Sequence, residues 1–583
     1  MKINIRDTNI NMSFNLKGFV IALIFLPIYV IELMRTAWLN DDAAITFRSI
    51  MNFVHGYGPT YNIDERVQAY THPLWFLIQS AVTFVFKNII IVNYSLSIGL
   101  SLLTFWILSR YVSKNLPNAI IVAVAMILSQ AFVEYSTSGL ENPLSHLLIL
   151  LMAIFGVNAI EKEDNKYITY YFLVCSLLYL TRQDMMLLAA PMAIMILVKN
   201  RHRPIELIKS VCIGALPAIF WSAFSLYYYG FLFPNTAYAK LATGHSMKEM
   251  VFQGFNYYLQ SWRSDPLTLI VLAVGIVVGF ASKLSYKLIS VGIILNLLYI
   301  LYIGGDFMQG RFFTVPFCLS LFMIAQCLRG DIVNVAKRSE LVRRTGNFFN
   351  GSGDFKTFGS EPRREVERVV VSPYIRVCQG AFLVVFVAVG LPNINAIMYS
   401  DPNAYYKNPY DQYTIFRPTG VNDEKKYYFH GQSLARSGKD FYKMPEWTTV
   451  GKEKKLIVAG KIGFFGFREG PAAHIIDPRA LIDPLLARLP SQGAFGPGHN
   501  SRQIPLRYVE SIRENENLLE DPETKDFYEL IRVVTRAPLN TRARLVAILR
   551  LNFTRAKKIS KSMFEMYRYR LIPITGDPIG GPF

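Results

Sequence analysis

Apolar runs of membrane-spanning length recur along this chain, and they constrain its fold more than any other feature. A helix needs about 20 apolar residues to cross a bilayer. Candidate spans lie near 18–37, 73–109, 118–134, 142–160, 167–181, 184–199, 207–229, 266–283, 286–303, 312–328 and 374–392. The stretch 73–109 is too long for one straight span. It is either one crossing plus an interfacial or re-entrant piece, or a hairpin interrupted at Lys87–Asn88. Composition agrees with a membrane chain: of 583 residues, 52% are apolar and only 18% charged. A soluble domain carries about a quarter charged residues.

Charge orients the spans. With the N-terminus in the cytoplasm and 73–109 counted as one crossing, the cytoplasmic loops contain 110–114, 162–166, 201–203, 283–287 and 329–373. All but the mixed-charge loop at 161–166 have a basic excess, as the positive-inside rule expects. A hairpin would put most basic loops outside, so an odd number of crossings is expected there. Lys2, Arg6 and Lys17 precede the first apolar run like the start of a signal sequence. No small-residue cleavage site follows, so the run reads as a retained signal anchor. The net charge of +19 gathers at span ends and not on one amphipathic face. That argues against nucleic acid and suits membrane lipids, including a polyanionic lipid carrier.

The same count leaves 38–72, 135–141, 181–184, 230–265, 304–311 and the region after 398 outside the cytoplasm. Lys455–Ala459 and His474–Asp477 read as strands, with a glycine turn after Ile462. Residues 505–515 and 541–551 have helical periodicity. The expected fold is a membrane α-helical bundle of about 11 transmembrane helices. It would occupy residues 1–397, with an extracytoplasmic α/β domain at 398–583. Segment 340–368 reads as a flexible cytoplasmic loop. The five cysteines lie in or beside apolar spans without metal-ligand spacing.

The external segments are polar and flanked by spans, so together they can build a cavity at one membrane face. Asp41 and Asp42 follow the first span. Adjacent carboxylates there can act as general base or metal ligand, or cap the helix starting at Ala43. Asp41, nearer the span, is the first choice as base, with Asp42 orienting it or binding substrate. The run through Arg48, Tyr70, Thr71 and His72 has the density of a loop lining a site. Glu141 stands at a helix start, and Arg182 with Asp184 forms a charge pair between spans. Asn235 and Lys240 follow another span, and Asp306 and Arg311 sit in a glycine-rich link. In the C-terminal region, His474, Asp477 and His499 are the polar residues of the most motif-like stretches, beside Asp483 and Arg502. Each also has a bland role in capping, salt bridging or scaffold hydrogen bonding.

In order, the segments DDAAITFR, HGYGPTYN with ERVQAYTHPLW, SGLENPL, LTRQD, YYGFLFPNTAYAK, GGDFMQGRF, and IGFFGFREGP with HIIDPRALIDPLLARLP resemble the AftB-like arabinofuranosyltransferases of the GT-C glycosyltransferase superfamily. Gln183 stands where that family's turn usually has proline. The resemblance implies a GT-C-type bundle in the bacterial inner membrane, with the active site and C-terminal domain facing the periplasm. It implies a polyprenyl-phosphate-linked sugar donor, a cell-envelope glycan or protein acceptor, and transfer of arabinofuranose or a similar pentofuranose. Arg311, Arg182, Lys240 and Arg48 become candidates to pair with the donor phosphate. No cofactor is expected to be required; a divalent cation could assist, though no dedicated cage is visible. Two other readings stay open. A transporter or flippase of lipid-linked glycans should show polar breaks at mid-membrane depth, often in repeated halves. A non-catalytic membrane-anchored glycan-binding protein would leave the external charges without a task.

Overall fold

The computed structural model describes residues 16–113, 115–241, 245–328, 373–398, 419–492, 498, 500–554 and 561–569. Segment 340–368 and His499 lie outside them. Five described helices are long and apolar enough to cross a membrane: Ile89–Arg110, Asn142–Lys162, Pro204–Tyr228, Leu284–Tyr302 and Arg376–Asn393. A sixth joins them if Met247–Ser264 and Pro266–Phe280, bent by 108° at their junction, form one span. The chain is a multi-pass membrane protein. The expected number of spans is higher than this count because several bundle helices are short, such as Pro73–Phe86 and Leu116–Leu128.

Local sequence explains where the helices start. Asn88 caps Ile89–Trp106 by accepting from the Ile90 and Ile91 amides. Asp265 caps Pro266–Phe280, and proline opens Pro73–Phe86, Pro204–Tyr228 and Pro266–Phe280. Proline there loses no hydrogen bond, since first-turn amides have no partner inside the helix. The bundle interior is apolar and closely packed, with Phe105, Val122, Ile149, Phe317 and Ile324 fully buried. Its outside is also apolar: Ile205, Ile208, Phe220 and Val277 are exposed. In water such a surface would be a liability; against lipid it is matched.

The stretch 73–109 divides at Lys87, whose backbone is left-handed (φ 62°). The preceding helix, Pro73–Phe86, has both ends on one side of the bundle. His72 bonds Thr46 at its start, while Asn88 just beyond its end donates to the Tyr442 carbonyl of the C-terminal region. Phe47 and Phe441 both pack on Phe464, which puts these two anchors on a common side. Pro73–Phe86 therefore runs along that side and Ile89–Arg110 leaves it.

In the C-terminal region, strands Lys455–Val458 and Ala473–Ile476 pair in parallel, with Lys455 opposite Ala473 and Val458 opposite Ile476. Helix Phe464–Glu469 fills the crossover. Helices Tyr508–Arg513, Pro522–Arg536 and Arg542–Phe553 follow, the second of them unforeseen in the sequence. Ile476, Leu485, Leu486, Ile512 and Ile531 form the core. This region does not hang free from the bundle. The Leu39 amide donates to the Gln432 carbonyl (2.8 Å), and the Asn422 amide to the Phe307 carbonyl (2.7 Å). Residues 419–447 thus lie across the polar links at Leu39 and Phe307.

Candidate active site

The segments expected outside the cytoplasm converge. The Asn40 amide donates to Ser138 (2.8 Å), and the Asn235 amide to Gln68 (3.0 Å). Asn40 also caps helix Asp41–Val54, its side chain accepting from the Asp42 amide. The cap role therefore belongs to Asn40, and both aspartates of the first turn are left for other work.

The two aspartates differ. Asp41 is pinned: its carboxylate accepts from the Phe464 amide (2.8 Å) and the Gly463 amide (3.2 Å). Gly463 is required for this approach, because a Cβ there would lie 2.0 Å from the Asp41 carbonyl oxygen. Burial raises the Asp41 pKa, while the two amides pull it back. The Asp42 carboxylate has no hydrogen-bond partner among the described residues and is half-buried. Burial pushes it up to about 6 against the pull of Arg311, and Asp41 adds to the rise. Lys240 and Asp306 also act on it.

Glu141 is the hub behind this pair. It occupies the cap position of Asn142–Lys162 but makes no side-chain cap. Its carboxylate instead takes Arg311 at 3.0 Å, His72 at 3.3 Å and Arg182 at 3.7 Å. Burial works to raise its pKa, yet Arg311, His72 and Arg182 together hold it well below the usual carboxylate value. Arg182 is also held by Asp184 at 2.7 Å and lies over the Phe312 ring at 4.5 Å. Arg311 reaches Asp306 at 3.4 Å. The Asp306 loop is set by Gly304 and Gly305, both at positive φ, and a Cβ on Gly305 would strike the Tyr257 ring at 2.4 Å. His72 is fixed from its other nitrogen by Thr46 at 2.9 Å, and exposed Thr71 stands beside it at 3.3 Å.

Other expected site residues are placed in the scaffold. Arg48 is fully buried, donates to the carbonyls of Tyr61, Gly466 and Ala473, and lies over the Tyr61 ring. It fastens the C-terminal region, each of its three nitrogens donating to a backbone carbonyl in a fully buried position. Tyr70 bonds Tyr229 (2.7 Å) and stacks on Phe76. Asn235 donates to the carbonyls of Ala480, Leu481 and Asp483. His474 is buried against Asp64 (2.7 Å), and Asp477 accepts from the Arg479 and Leu481 amides. Lys240, in contrast, is exposed near Asp42.

Sequence reasoning missed Glu424. It is buried, accepts from the Asn40 side chain (3.3 Å), and is raised well above the usual carboxylate value by burial and then by Asp42. Tyr428, one helical turn on, feels Asp41, Glu424 and Asp42. No motif marked either residue; only the structure brings 419–428 onto the site. Among the described residues, no group of three or more His, Cys, Asp or Glu is arranged to hold a metal ion.

The comparisons with known proteins bear on a site of this kind, a cluster of charged side chains where the polar links between apolar helices meet. No protein-family profile matches the chain. It is 26% identical over 349 residues to a terminal beta-(1->2)-arabinofuranosyltransferase of Corynebacterium glutamicum, covering 52% of this chain and 49% of that protein. A protein of the same name from Mycobacterium tuberculosis is 26% identical over 325 residues, covering 48% of this chain and 51% of its own length. The match thus spans about half the length of these curated relatives. Among solved structures, arabinosyltransferase EmbB from Mycobacterium smegmatis aligns with a TM-score of 0.37 and 10% identity, covering 67% of this chain and 43% of that one. The Archaeoglobus fulgidus oligosaccharyltransferase aligns with a TM-score of 0.39 and 11% identity, covering 79% and 64%.

Proposed function

We propose that this protein is a membrane glycosyltransferase that moves a pentofuranosyl group, arabinofuranose or a close analogue, from a polyprenyl-phosphate donor to a glycan or protein acceptor of the cell envelope. It would have a GT-C-type bundle of about eleven spans in the bacterial inner membrane. Its cavity and C-terminal region would face the periplasm. The curated relatives support the sugar class. The observation that carries the chemistry is Asp42, a carboxylate without a hydrogen-bond partner among the described residues, raised to about 6 and set among Arg311, Lys240 and Asp306.

In this reading, Asp42 takes the proton from the acceptor hydroxyl. The freed oxygen bonds to the anomeric carbon as the bond from that carbon to the phosphate oxygen breaks. The polyprenyl phosphate leaves with the electron pair, so no general acid is needed. Asp41, tied to Gly463 and Phe464, joins the helix start to the C-terminal region and fixes where Asp42 stands. Of the four cations expected to meet the phosphate, Arg48 is spent on carbonyls, and Arg182 and Arg311 are held by carboxylates. Lys240 is left to pair with the phosphate. The chain itself supplies both base and cation, so no cofactor is invoked.

Asp42→Asn and Asp41→Asn, assayed with a polyprenyl-phosphate pentofuranose and a glycan acceptor, separate the roles. Asp42→Asn should lose transfer by about 10²–10⁴-fold, the scale of a lost general base. Near-normal transfer by Asp42→Asn, at normal protein level, would remove the basis of this mechanism.

A further inference from the structure

Helix Met247–Ser264 turns its apolar face outward. Phe252, Phe255, Leu259 and Trp262 are 45–69% exposed and recur every three or four residues, so they form one stripe. The opposite face, with Gln253, Gly254, Tyr257, Gln260 and Ser261, is buried. A helix on the surface of a water-soluble domain has the reverse arrangement.

Both ends of this helix lie on the side of the candidate site. Just before it, the His245 ring bonds the Ser491 hydroxyl of the C-terminal region at 3.1 Å. In its second turn, Gln253 donates to the Thr419 carbonyl (2.6 Å). Just after it, the Asp265 carboxylate accepts from the Ala131 amide (2.9 Å). Ala131 in turn lies against the Arg311 loop, where a Cβ on Gly310 would meet it at 2.7 Å. A helix held this way at both ends does not cross the bundle.

Its direction agrees. The next helix, Pro266–Phe280, returns through the short link 281–283 into the spanning helix Leu284–Tyr302 and packs along it, the Ser290 hydroxyl donating to the Ile276 carbonyl (3.1 Å). Met247–Ser264 is bent by 108° from Pro266–Phe280. It therefore runs close to the membrane plane.

The stripe is continuous with a lipid-facing surface. Gly254 packs so closely on the Leu301 carbonyl of the spanning helix that a Cβ would lie 2.2 Å from its oxygen, and the Tyr258 hydroxyl donates to the Leu297 carbonyl (2.8 Å). On those same turns Leu298 and Tyr302 are exposed. Lys248 and Arg263, also exposed, flank the stripe at its two ends. Exposed Glu249, beside Lys248, is engaged in the capping box with Ser246. Phe, Leu and Trp with a cation at each end suit the boundary between lipid chains and headgroup phosphates.

We propose that Met247–Ser264 lies in the plane of the bilayer interface, in the leaflet next to the Asp42 site, with Phe252, Phe255, Leu259 and Trp262 among the lipid chains and Lys248 and Arg263 at the headgroups. The buried face of the helix gives this seat a consequence. The Tyr257 hydroxyl donates to the Met308 carbonyl (3.3 Å) and accepts from the Phe312 amide (3.1 Å). It thus grips the loop on both sides of Arg311 and sets that loop at headgroup level. The proposal rests on membrane residence and not on the transfer chemistry.

The unaltered full-length protein tests it, placed in phosphatidylcholine–phosphatidylglycerol vesicles. One sample contains a phospholipid with a photoactivatable diazirine close to the glycerol backbone, a second sample one with the diazirine at the end of an acyl chain. After irradiation, peptide mass spectrometry locates the labelled residues. Leu216, exposed midway along Pro204–Tyr228, serves as the deep reference. The shallow probe should label Phe252, Phe255, Leu259 and Trp262 alike, and the deep probe should label them several-fold less than Leu216. A crossing helix changes depth by about 15 Å over ten residues. A switch from shallow to deep labelling between Phe252 and Trp262 therefore overturns the proposal, as does deep labelling of all four as strong as at Leu216. Labelling by neither probe, with Leu216 labelled, also overturns it, since the stripe then faces water or a second protein.

Discussion

Arg311 and Glu141, 170 residues apart in the chain, meet at 3.0 Å with the Glu141 side chain almost wholly buried. The same carboxylate faces Arg182 and His72. Three polar links between apolar helices are therefore tied to one acidic group. Breaking a buried pair from one side costs about 3–5 kcal/mol, because the partner's charge is left without compensation. Glu141→Gln should lower the unfolding midpoint by several degrees and reduce transfer through misplacement of Arg311. A thermal scan of the detergent-solubilised protein checks it. An unchanged midpoint would show that Glu141 does not act as the hub.

Asp42 sets a pH dependence. Its carboxylate must be ionised to accept a proton, and its pKa is raised from 3.8 to about 6. Transfer should rise as pH climbs through about 6 and level off above it. Stability runs the other way. An acid whose pKa is higher in the folded state binds its proton more tightly there. Its contribution to stability is thus full below 3.8 and is lost as pH rises through about 6. Asp42→Asn should flatten that part of the midpoint-against-pH curve. If the curve keeps its shape in the variant, the titration belongs to another group.

These residues show how far the sequence could be read. The polar links around Asp41, Glu141, Arg182 and Arg311 were visible because each interrupts an apolar run, and membrane depth forces such links to one face or the other. Pairing between distant segments was not visible, although the local Arg182–Asp184 pair was. Glu141 looked like a helix cap, since sequence spacing cannot reveal a guanidinium arriving from 170 residues away. Arg48 looked like a phosphate ligand for the same reason, because the carbonyls that consume it come from Tyr61, Gly466 and Ala473. The order of preference between Asp41 and Asp42 rested on nearness to the first span. The Gly463 and Phe464 amides, which occupy Asp41, could not enter that comparison. The strands at 455–458 and 473–476 were legible because they are short apolar runs bounded by turns.

Gly463→Ala tests whether the C-terminal region holds the aspartate pair in place. The added Cβ would meet the Asp41 carboxylate oxygen at 2.4 Å as well as its carbonyl oxygen. Overpacking of this kind costs about 1–3 kcal/mol. The cost falls on the contact between Asp41 and helix Phe464–Glu469, so the bundle should still form. Transfer should fall, and limited proteolysis should cut residues 455–476 faster than in the parent protein. Normal transfer with a normal cleavage pattern would show that this contact is dispensable.

Lys240 and Arg48 give the sharpest contrast, since both were expected to meet the donor phosphate. Lys240 is exposed, lies close enough to Asp42 to lower its pKa, and is the one of the four expected cations with no partner among the described residues. Its removal should weaken donor binding more than it slows the chemical step. Lys240→Ala is therefore expected to raise the donor KM about tenfold, with a smaller change in kcat. Because Lys240 is exposed, added salt should raise the parent's donor KM toward that of the variant. Each of the three Arg48 guanidinium nitrogens donates to a backbone carbonyl in a fully buried position. Arg48→Lys cannot reproduce the three-way fork and leaves carbonyls unpaired. It should lower the unfolding midpoint while the donor KM of the folded fraction stays close to that of the parent. Measuring KM and midpoint together on both variants separates the roles. A KM effect confined to Arg48→Lys would reverse the assignment and place the phosphate on the wall nearest Tyr61.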